Sequence, residues 1–306
     1  MRASRPGGPD GVLLLDKPAG ITSTRALAKA KRLVGSLKGG HTGTLDPFAT
    51  GLLPLVFGEA TKFSRFLIDS EKSYEATLRL GEVTPTGDTE SAVDRRREVR
   101  ADDAAIDGVL RSLHGAQTQV PPMHSAVRVG GRRLYDYARS GEQVERPARE
   151  VELFEIERLA RRGDDLDIRV RCSKGTYVRT LAGEIGERLG CGAHLVALRR
   201  TGVGAFHLGE AVDLATLERE GIDAARGRLL PPDVLVAGLE RLDVDDDAAW
   251  RLCNGQEIGA PEACAAEVAI FGPQGRFLGV ASRVAAGRLA PLRLMFTGEA
   301  KLPDFA

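Results

Sequence analysis

Apolar and polar residues alternate along the chain in a way that predicts short strands separated by amphipathic helices. Residues 11–16 form a continuous apolar run that stops at Pro18 and Gly20, which indicates a buried strand followed by a turn. Residues 24–34 carry apolar side chains at helical spacing, directly after hydroxyl residues that can cap a helix. Residues 74–80 alternate strictly, as expected of a strand with one buried face.

Further elements follow from the same two periods. Predicted helices span residues 60–69, 101–113, 177–189, 214–220 and 248–253, and predicted strands span residues 151–159, 166–172 and 195–206. Gly190 directly follows one of these helices and suits the position after its C-terminal cap. Beyond residue 253, short strands separated by glycines are expected as far as Phe296.

Two segments fit neither period. Residues 39–54 hold four Gly, two Pro and three Thr, so we expect a long structured loop there in place of a helix or an ordinary strand. Ordered loops of this length are uncommon inside a compact domain and usually serve a function. Residues 117–149 are rich in Gly, Pro, Arg and Tyr, and predict an excursion from the core with a strand pair and a short helix.

The order of these elements predicts a mixed α/β body followed by a small β-rich tail. Residues 1–10 are expected to form a disordered leader, and residues 11–232 the body. Two consecutive prolines, at 231 and 232, mark the boundary to a tail of residues 233–306. A chain of 306 residues is long enough for one large domain and one small domain.

Charge and cysteine content exclude some classes of protein. The 43 basic and 43 acidic residues cancel, and the tail from Asp233 has 11 acidic and 7 basic residues, so only the body is slightly positive. No CxxC pair joins the four cysteines, and a metal site is therefore not expected. No apolar run approaches the roughly 20 residues that span a bilayer, and we expect a cytoplasmic protein that contacts no membrane.

Asp46 is the candidate for chemistry within residues 39–54, whose sequence is GGHTGTLDPFATGLLP. Glycines allow the backbone to approach a ligand closely, and the threonine hydroxyls of this segment can fix a carboxylate. Asp46 is therefore a candidate nucleophile or base in a rigid turn. Taken alone, an Asp before Pro47 is also an ordinary turn former.

Residues 173–179, SKGTYVR, place a glycine turn at the start of a predicted helix. Backbone N–H groups at such a helix start form a site for anions. Arg179 would be unfavourable beside the positive end of the helix dipole unless a carboxylate from elsewhere pairs with it, and a surface position is the alternative. The segment lacks the second glycine and the length of a GxxxxGK[ST] loop, which excludes a nucleoside triphosphate site of that kind.

Aromatic and basic residues suggest contact with a nucleic acid. An aromatic side chain in a pocket can stack on an extruded base, and the tyrosines of this chain are Tyr74, Tyr135, Tyr137 and Tyr177. Within residues 117–149, Arg132 and Arg133 belong to a group of arginines interleaved with tyrosines, which suits RNA phosphates and bases. A core position for Tyr74 and a solvated face for the arginines are the structural alternatives.

Several of these blocks, in this order, resemble the tRNA pseudouridine-55 synthase family of the TruB type. The blocks are LLLDKPAGITS (13–23), GHTGTLDPFATGLLPLVFGEATKF (40–63), KSYEATLRLGEVTPTGDTE (72–90), VPPMHSAVRVGGRRLYDYAR (120–139) and CSKGTYVRTLAGEIGERLGCGAHLVALRR (172–200). The resemblance covers most of the first 210 residues. It implies an α+β fold with a mixed, mostly antiparallel sheet, flanking helices and a central cleft, followed by a PUA-like tail.

The resemblance also implies roles for individual residues. Asp46 matches the catalytic aspartate, Tyr74 the tyrosine that packs on the target base and helps to remove a proton, and Arg179 the arginine paired with that aspartate. The implied substrate-binding residues are His41, which contacts the everted nucleotides, Leu198, which lines the pocket, Tyr177, and Lys17, which supports the active-site loop together with Pro18. Residues 118–148, with Arg132 and Arg133, correspond to an insertion that grips RNA.

The implied reaction is isomerisation of a uridine in the T-arm loop of tRNA to pseudouridine. It requires no redox cofactor and no metal, and we expect tRNA as the partner without an obligate protein partner. Arg179 beside Asp46 is expected to lower the pKa of that carboxyl, since an opposite charge typically does so by about 1–3 units. The alternatives are a non-catalytic RNA-binding protein, which would not need Asp46, and a hydrolase with paired carboxylates, against which the single carboxylate of GHTGTLDP argues.

Overall fold

A computed structural model describes residues 8–125 and 127–295 of the chain. Most of the predicted leader, and Phe296 at the end of the last predicted strand, lie outside the described residues. Within them, the strands are β1 Gly11–Lys17, β2 Gly39–His41, β3 Thr50–Phe57, β4 Lys72–Leu80, β5 Glu82–Val83, β6 Arg95–Arg96, β7 Gly115–Gln119, β8 Arg128–Val129, β9 Arg132–Arg133, β10 Arg149–Arg162, β11 Asp165–Cys172, β12 Ala193–Val203, β13 Phe206–His207, β14 Val212–Asp213, β15 Glu240–Asp243, β16 Ile258–Gly259, β17 Glu267–Gly272, β18 Arg276–Ala285 and β19 Arg288–Leu294.

Helices flank the strands. The α-helices are α1 Ser23–Val34, α2 Ser64–Ile68, α3 Asp103–Ser112, α4 Leu134–Arg139, α5 Val178–Arg188, α6 Leu214–Glu220, α7 Ile222–Gly227 and α8 Asp246–Cys253. Short 3-10 helices cover Gly58–Phe63, Leu208–Glu210, Pro232–Val236 and Pro273–Gly275. Helix α1 begins after Thr22, whose side chain accepts a hydrogen bond from the Arg25 backbone N–H, as expected of the hydroxyl residues before it. It ends at Gly35, which has a left-handed conformation.

Ten strands form the main sheet, in the order β14-β1-β3-β12-β4-β11-β10-β7, with β2 added to β3 and β13 added to β12. Strands β1 and β14 run parallel, as do β3 and β12, and the other pairs of this sheet are antiparallel. The expected mixed, mostly antiparallel sheet with flanking helices is confirmed. The predicted strand pair and short helix inside residues 117–149 are also confirmed, as β8, β9 and α4.

The sequence prediction for residues 39–54 is wrong at both ends. Strand β2 covers the first three residues and β3 begins at Thr50, so the irregular backbone is limited to residues 42–49. Seven of the eight residues of β3 are buried, because β3 pairs with β1 on one edge and with β2 and β12 on the other. A strand enclosed in this way has a nearly continuous run of apolar residues. Its burial outweighs the low strand propensity of Gly51 and Pro54.

Other differences are smaller. The helix expected over residues 60–69 is divided into the 3-10 helix Gly58–Phe63 and the short helix α2. The sequence pattern predicts no helix at Ile222–Gly227, where the structure has the six-residue helix α7. Helix α5 ends as predicted, with Gly190 in a left-handed conformation after the cap.

A five-stranded sheet in the order β15-β17-β18-β19-β16 makes up the β-rich tail and confirms that expectation. One hydrophobic cluster joins this sheet to the main sheet, since Leu14 and Phe63 belong to it together with Phe271 and Val280. The rings of Phe63 and Phe277 lie 5.2 Å apart between centroids. The division of the chain at residues 10 and 232 stays a prediction.

Among the described residues, none of the helices has both the length and the apolar character needed to cross a bilayer.

Gly51 allows β3 to contact β12 closely. Its φ of +102° is one that side chains with a Cβ rarely adopt, and a Cβ at this position would lie 2.3 Å from the Arg200 carbonyl oxygen. We expect Gly51→Ala to lower the free energy of unfolding by about 2–4 kcal/mol, since backbone strain and overpacking each contribute roughly 1–3 kcal/mol. Urea unfolding measures this change.

Gly108 in α3 supplies the matched control. A Cβ there meets nothing within 4 Å, and alanine is favoured over glycine inside helices. Gly108→Ala is expected to raise the free energy of unfolding by up to about 1 kcal/mol. Equal unfolding midpoints for the two variants would contradict the role assigned to Gly51.

Candidate active site

The loop between β2 and β3 holds Asp46 in a fixed turn. The Ala49 N–H donates to the Asp46 carbonyl at 3.2 Å, and the Gly20 N–H donates to the Pro47 carbonyl at 2.8 Å. Ser23, buried at the start of α1, accepts from the Leu45 N–H at 2.8 Å and donates to the Leu45 carbonyl at 3.0 Å. The backbone on both sides of Asp46 is therefore tied to neighbouring elements, which fixes the direction of its carboxylate.

Lys17 stabilises this loop through hydrogen bonds to backbone carbonyls. Its side chain is fully buried, and its ammonium donates to the carbonyls of Pro18 and Ile21 at 2.9 Å and to that of Pro47 at 3.4 Å. Burial lowers the pKa of Lys17 to about 8, and the charge of Asp46 opposes that shift. Lys17 lies against the loop and does not belong to the residues that line the adjacent cavity.

Arg179, in the first turn of α5, forms a two-pronged ion pair with Asp46. Its Nε lies 3.0 Å from Asp46 Oδ2, and its Nη2 donates to Oδ1 at 3.3 Å. The guanidinium is only 5% exposed and also donates to the Thr86 carbonyl at 3.1 Å and to the His124 carbonyl at 2.7 Å. The carboxylate that an arginine at a helix start requires is thus present, and the surface alternative for Arg179 does not apply.

A second carboxylate, which the sequence reasoning missed, lies on the far side of Arg179. Asp88 Oδ2 is 3.5 Å from Arg179 Nη1, and Asp88 Oδ1 accepts from the Thr86 hydroxyl at 2.6 Å and from the Glu90 N–H at 2.9 Å. The Asp88 side chain is 1% exposed and, unlike Arg179, is not among the residues that line the cavity beside Asp46, so it has no access to a substrate there. This weakens the hydrolase alternative on structural grounds, because paired-carboxylate hydrolysis needs both groups at the reacting bond.

The pKa of Asp46 differs from the expectation. Burial raises the pKa of this carboxyl above its ordinary value, Arg179 lowers it, and the nearby charge of Asp88 raises it further. Arg179 lowers the pKa as expected, but burial and the charge of Asp88 outweigh it, so the pKa of Asp46 is raised overall and not lowered. Asp46 consequently stays protonated to a higher pH than an exposed aspartate does.

Tyr74 and Leu198 face the same side of the main sheet. In β4, buried and half-buried residues alternate, and Tyr74 is on the buried face with 8% of its surface exposed. Leu198 in the neighbouring strand β12 is also 8% exposed. Arg200, two residues further along β12, lies directly opposite Tyr74 and is 2% exposed. Sequence reasoning assigned no role to Arg200, although it is the last residue of the block at 172–200 that resembles the family.

A cavity of about 780 Å³ opens beside these residues and is large enough for a nucleotide. Its lining brings together five residues predicted from the sequence: Asp46, Tyr74, Tyr177, Arg179 and Leu198. It also includes Lys72, Ser125 and Arg200, for which the sequence reasoning gave no role. Tyr177 enters through the turn before α5, where its N–H donates to the Gln119 side chain at 3.0 Å.

Besides Lys17, three of the predicted residues lie outside this lining. His41 ends β2, one residue before the lining begins, and its buried Nδ1 has no hydrogen-bond partner among the described residues. Burial, and after it the charge of Arg200, lowers the pKa of His41. Arg132 and Arg133 form β9 within the insertion. Arg132 donates to Glu142 at 2.9 Å and stacks at 4.4 Å from the centre of the Tyr137 ring.

No cluster of three or more metal-ligating side chains is found in the part of the chain that the structure describes.

Comparison with known proteins identifies the family. Three family models match in order: TruB family pseudouridylate synthase (N terminal domain) over residues 31–178, tRNA pseudouridylate synthase B C-terminal domain over 179–237, and Pseudouridine synthase II TruB, C-terminal, over 241–295. Similar proteins named tRNA pseudouridine synthase B come from Aromatoleum aromaticum, 51% identical over 94% of this chain and 93% of the relative, and from Burkholderia mallei, 49% identical over 94% and 98%.

Solved structures share the fold at much lower identity. A Cbf5-Nop10-Gar1 complex matches with a TM-score of 0.71 and 22% identity over 96% of this chain and 92% of the other. An H/ACA RNP bound to a substrate RNA containing 2'-deoxyuridine matches with a TM-score of 0.70 and 24% identity, over 94% and 85%. With about half of its residues identical to those of the bacterial relatives over nearly its whole length, the chain belongs to the TruB family of pseudouridine synthases.

Proposed function

We propose that this protein isomerises the uridine at position 55, in the T-arm loop of tRNA, to pseudouridine, with Asp46 as the catalytic residue. The observation that carries the proposal is the ion pair of Asp46 with Arg179 at the cavity, beside Tyr74 and Leu198. The relatives from Aromatoleum aromaticum and Burkholderia mallei are named for action on tRNA. A protein that only binds RNA would have no use for a carboxylate held in this way.

The reaction breaks the bond between N1 of uracil and C1′ of the sugar and forms a bond between C5 and C1′. The C5 proton leaves and N1 takes up a proton, so the product has the same composition as the substrate. The carboxylate of Asp46 acts near the sugar once it is ionised, and the apolar side chain of Leu198 together with the ring of Tyr74 keeps the detached uracil in the cavity. The Tyr74 oxygen, in its ionised form, accepts the proton that leaves C5.

The target base must leave the folded loop of the RNA before it enters the cavity. Extruding a base costs a few kcal/mol, and stacking on an aromatic ring returns about 1–3 kcal/mol per base. Tyr74 offers such a ring within the cavity, and Tyr177 offers another at the start of α5. His41 adjoins the catalytic loop, where it contacts the nucleotides beside the flipped base.

Incubation with a T-arm stem-loop tests the proposal. The product has unchanged mass and reacts with carbodiimide at position 55, and a stem-loop with cytidine there gives no such product. A reaction at another uridine would overturn the position, and binding without any product would overturn the enzyme. Cytoplasmic location and independence from an obligate protein partner or cofactor stay predictions.

Asp46→Asn is nearly isosteric and should leave the fold and RNA binding in place while pseudouridine formation is abolished, because it removes the charge that the chemistry uses. The product is quantified in single-turnover reactions. Asp164→Asn is the control, since Asp164 is exposed in the turn between β10 and β11. Activity of Asp46→Asn within tenfold of the wild type would contradict the role of Asp46.

Arg179→Ala should shift the pH dependence of the reaction. Arg179 lowers the pKa of Asp46 against the effect of burial, so its removal raises that pKa further and leaves less of the ionised form at neutral pH. The residual rate of the variant should therefore continue to rise with pH where the wild-type rate is already constant. Single-turnover rates measured across the pH range give the profile.

Two further variants make this test specific. Arg179→Lys should recover only part of the rate, because an ammonium cannot form both bonds of the guanidinium. Arg188→Ala, in the last turn of α5, removes an arginine paired with Glu184 on the surface and should change nothing. Identical pH profiles for Arg179→Ala and the wild type would remove Arg179 from the site.

The insertion should contribute through RNA phosphates. Replacing Arg132 and Arg133 with Ala should weaken RNA binding and reduce the slope of log affinity against log salt by up to about 0.7–0.9 per lost contact. Because Glu142 competes with a phosphate for Arg132, Glu142→Gln should instead strengthen binding. An unchanged salt slope in the double variant would place both arginines on a solvated face.

A further inference from the structure

Arg200 is a buried cation that the proposed mechanism does not use. Strand β12 pairs antiparallel with β4 and places Arg200 directly opposite Tyr74. The side chains of such a pair lie about 4.5–5.5 Å apart between Cβ atoms. Both residues line the same cavity, and Arg200 is 2% exposed.

The guanidinium is bound by carbonyl oxygens. Arg200 Nε donates to the Leu52 carbonyl at 2.7 Å and Nη2 donates to the Gly43 carbonyl at 3.1 Å. Gly43 lies near the start of the loop that carries Asp46, and Leu52 lies in β3, the strand that follows this loop. Among the described residues, no ion pair joins Arg200 to a carboxylate, so its charge stays uncompensated in a site where an unpaired charge is costly.

The uncompensated charge acts on Tyr74. Burial raises the pKa of the Tyr74 phenol above its ordinary value, and Arg200 offsets part of this rise by its charge and by hydrogen bonding to the side chain. Cys172 from β11 and Asp46 from the loop raise the pKa of the phenol. Lys72, two residues away on the buried face of β4, lines the same cavity. Among these neighbours, Arg200 is the cation directly opposite the ring.

We propose that Arg200 is a positioning residue, which is anchored to the carbonyls of Leu52 and Gly43 and holds the Tyr74 hydroxyl in the arrangement that proton removal requires. The inference rests on the proposed function. In the step concerned, the C5–H bond of the rejoined uracil breaks, its electron pair returns to the ring, and the proton goes to the Tyr74 oxygen, which must be ionised to accept it. The cation beside that oxygen favours the ionised form.

A double-mutant cycle tests the inference. Arg200→Met is combined with Tyr74→Phe, and single-turnover rates are measured with excess protein on the T-arm stem-loop. Arg200→Met alone should reduce the rate by about 100-fold or more, the usual contribution of general acid–base catalysis, with RNA affinity changed by less than about threefold. In the Tyr74→Phe background, the same substitution should reduce the rate by less than about threefold, because the hydroxyl on which Arg200 acts is absent.

Two controls separate positioning from folding. Arg200→Lys keeps the positive charge, and its rate should lie between those of the wild type and Arg200→Met. If the methionine variant does not fold, the lysine variant takes its place in the double-mutant cycle. Arg199→Met alters the adjacent arginine of β12, which is 42% exposed and paired with Asp16, and its rate should match the wild type. Thermal unfolding reports the fold of each variant.

The outcomes are distinct. Equal losses for Arg200→Met in the presence and absence of the Tyr74 hydroxyl would overturn the inference, and so would Arg200→Lys that folds but is no faster than Arg200→Met. A wild-type protein that makes no pseudouridine would overturn the proposed function before any Arg200 variant is compared.

Discussion

The ion pair of Arg179 with Asp46 is the interaction on which the site depends, because four separate parts of the chain meet at it. The loop after β2 supplies Asp46, and the first turn of α5 supplies the guanidinium. The segment after β5 supplies Asp88 and the Thr86 carbonyl, and the root of the insertion supplies the His124 carbonyl. Folding any of these parts differently would leave a buried charge without its partner, so the pair requires all of them to be in place.

Much of this arrangement follows from the sequence, because the site is built from uninterrupted blocks. The alternation in β4 gives the side that Tyr74 faces, and the glycine turn before α5 gives the helix start at which Arg179 needs a carboxylate. The start of the strand Thr50–Phe57 was not predicted from the sequence, because Gly51 and Pro54 have low strand propensity when only local preference is considered. Burial on both sides decides its structure, and burial depends on partners that are distant in sequence.

Asp88 and Arg200 were missed for a related reason. Each belongs to a block that resembles the family, yet nothing local separates Asp88 from an ordinary turn residue or Arg200 from the exposed Arg199 beside it. Their importance appears only when the sheet brings Arg200 opposite Tyr74 and Asp88 onto Arg179. The predicted direction of the Asp46 pKa shift was wrong for the same reason, because the burial of Asp46 and the presence of the second carboxylate are properties of the assembled site.

The hydrophobic cluster between the two sheets bears on how this protein can be divided. Leu14 of the first strand and Phe63 belong to the same cluster as Phe271 and Val280 of the five-stranded sheet. Arg65 and Glu267, 2.7 Å apart, add an ion pair across the same boundary. The C-terminal sheet therefore supports β1, which pairs with β3, the strand that follows the Asp46 loop. Exchanging it for the tail of a distant relative would demand a matching apolar surface on both sides, so the two parts are expected to evolve as a unit.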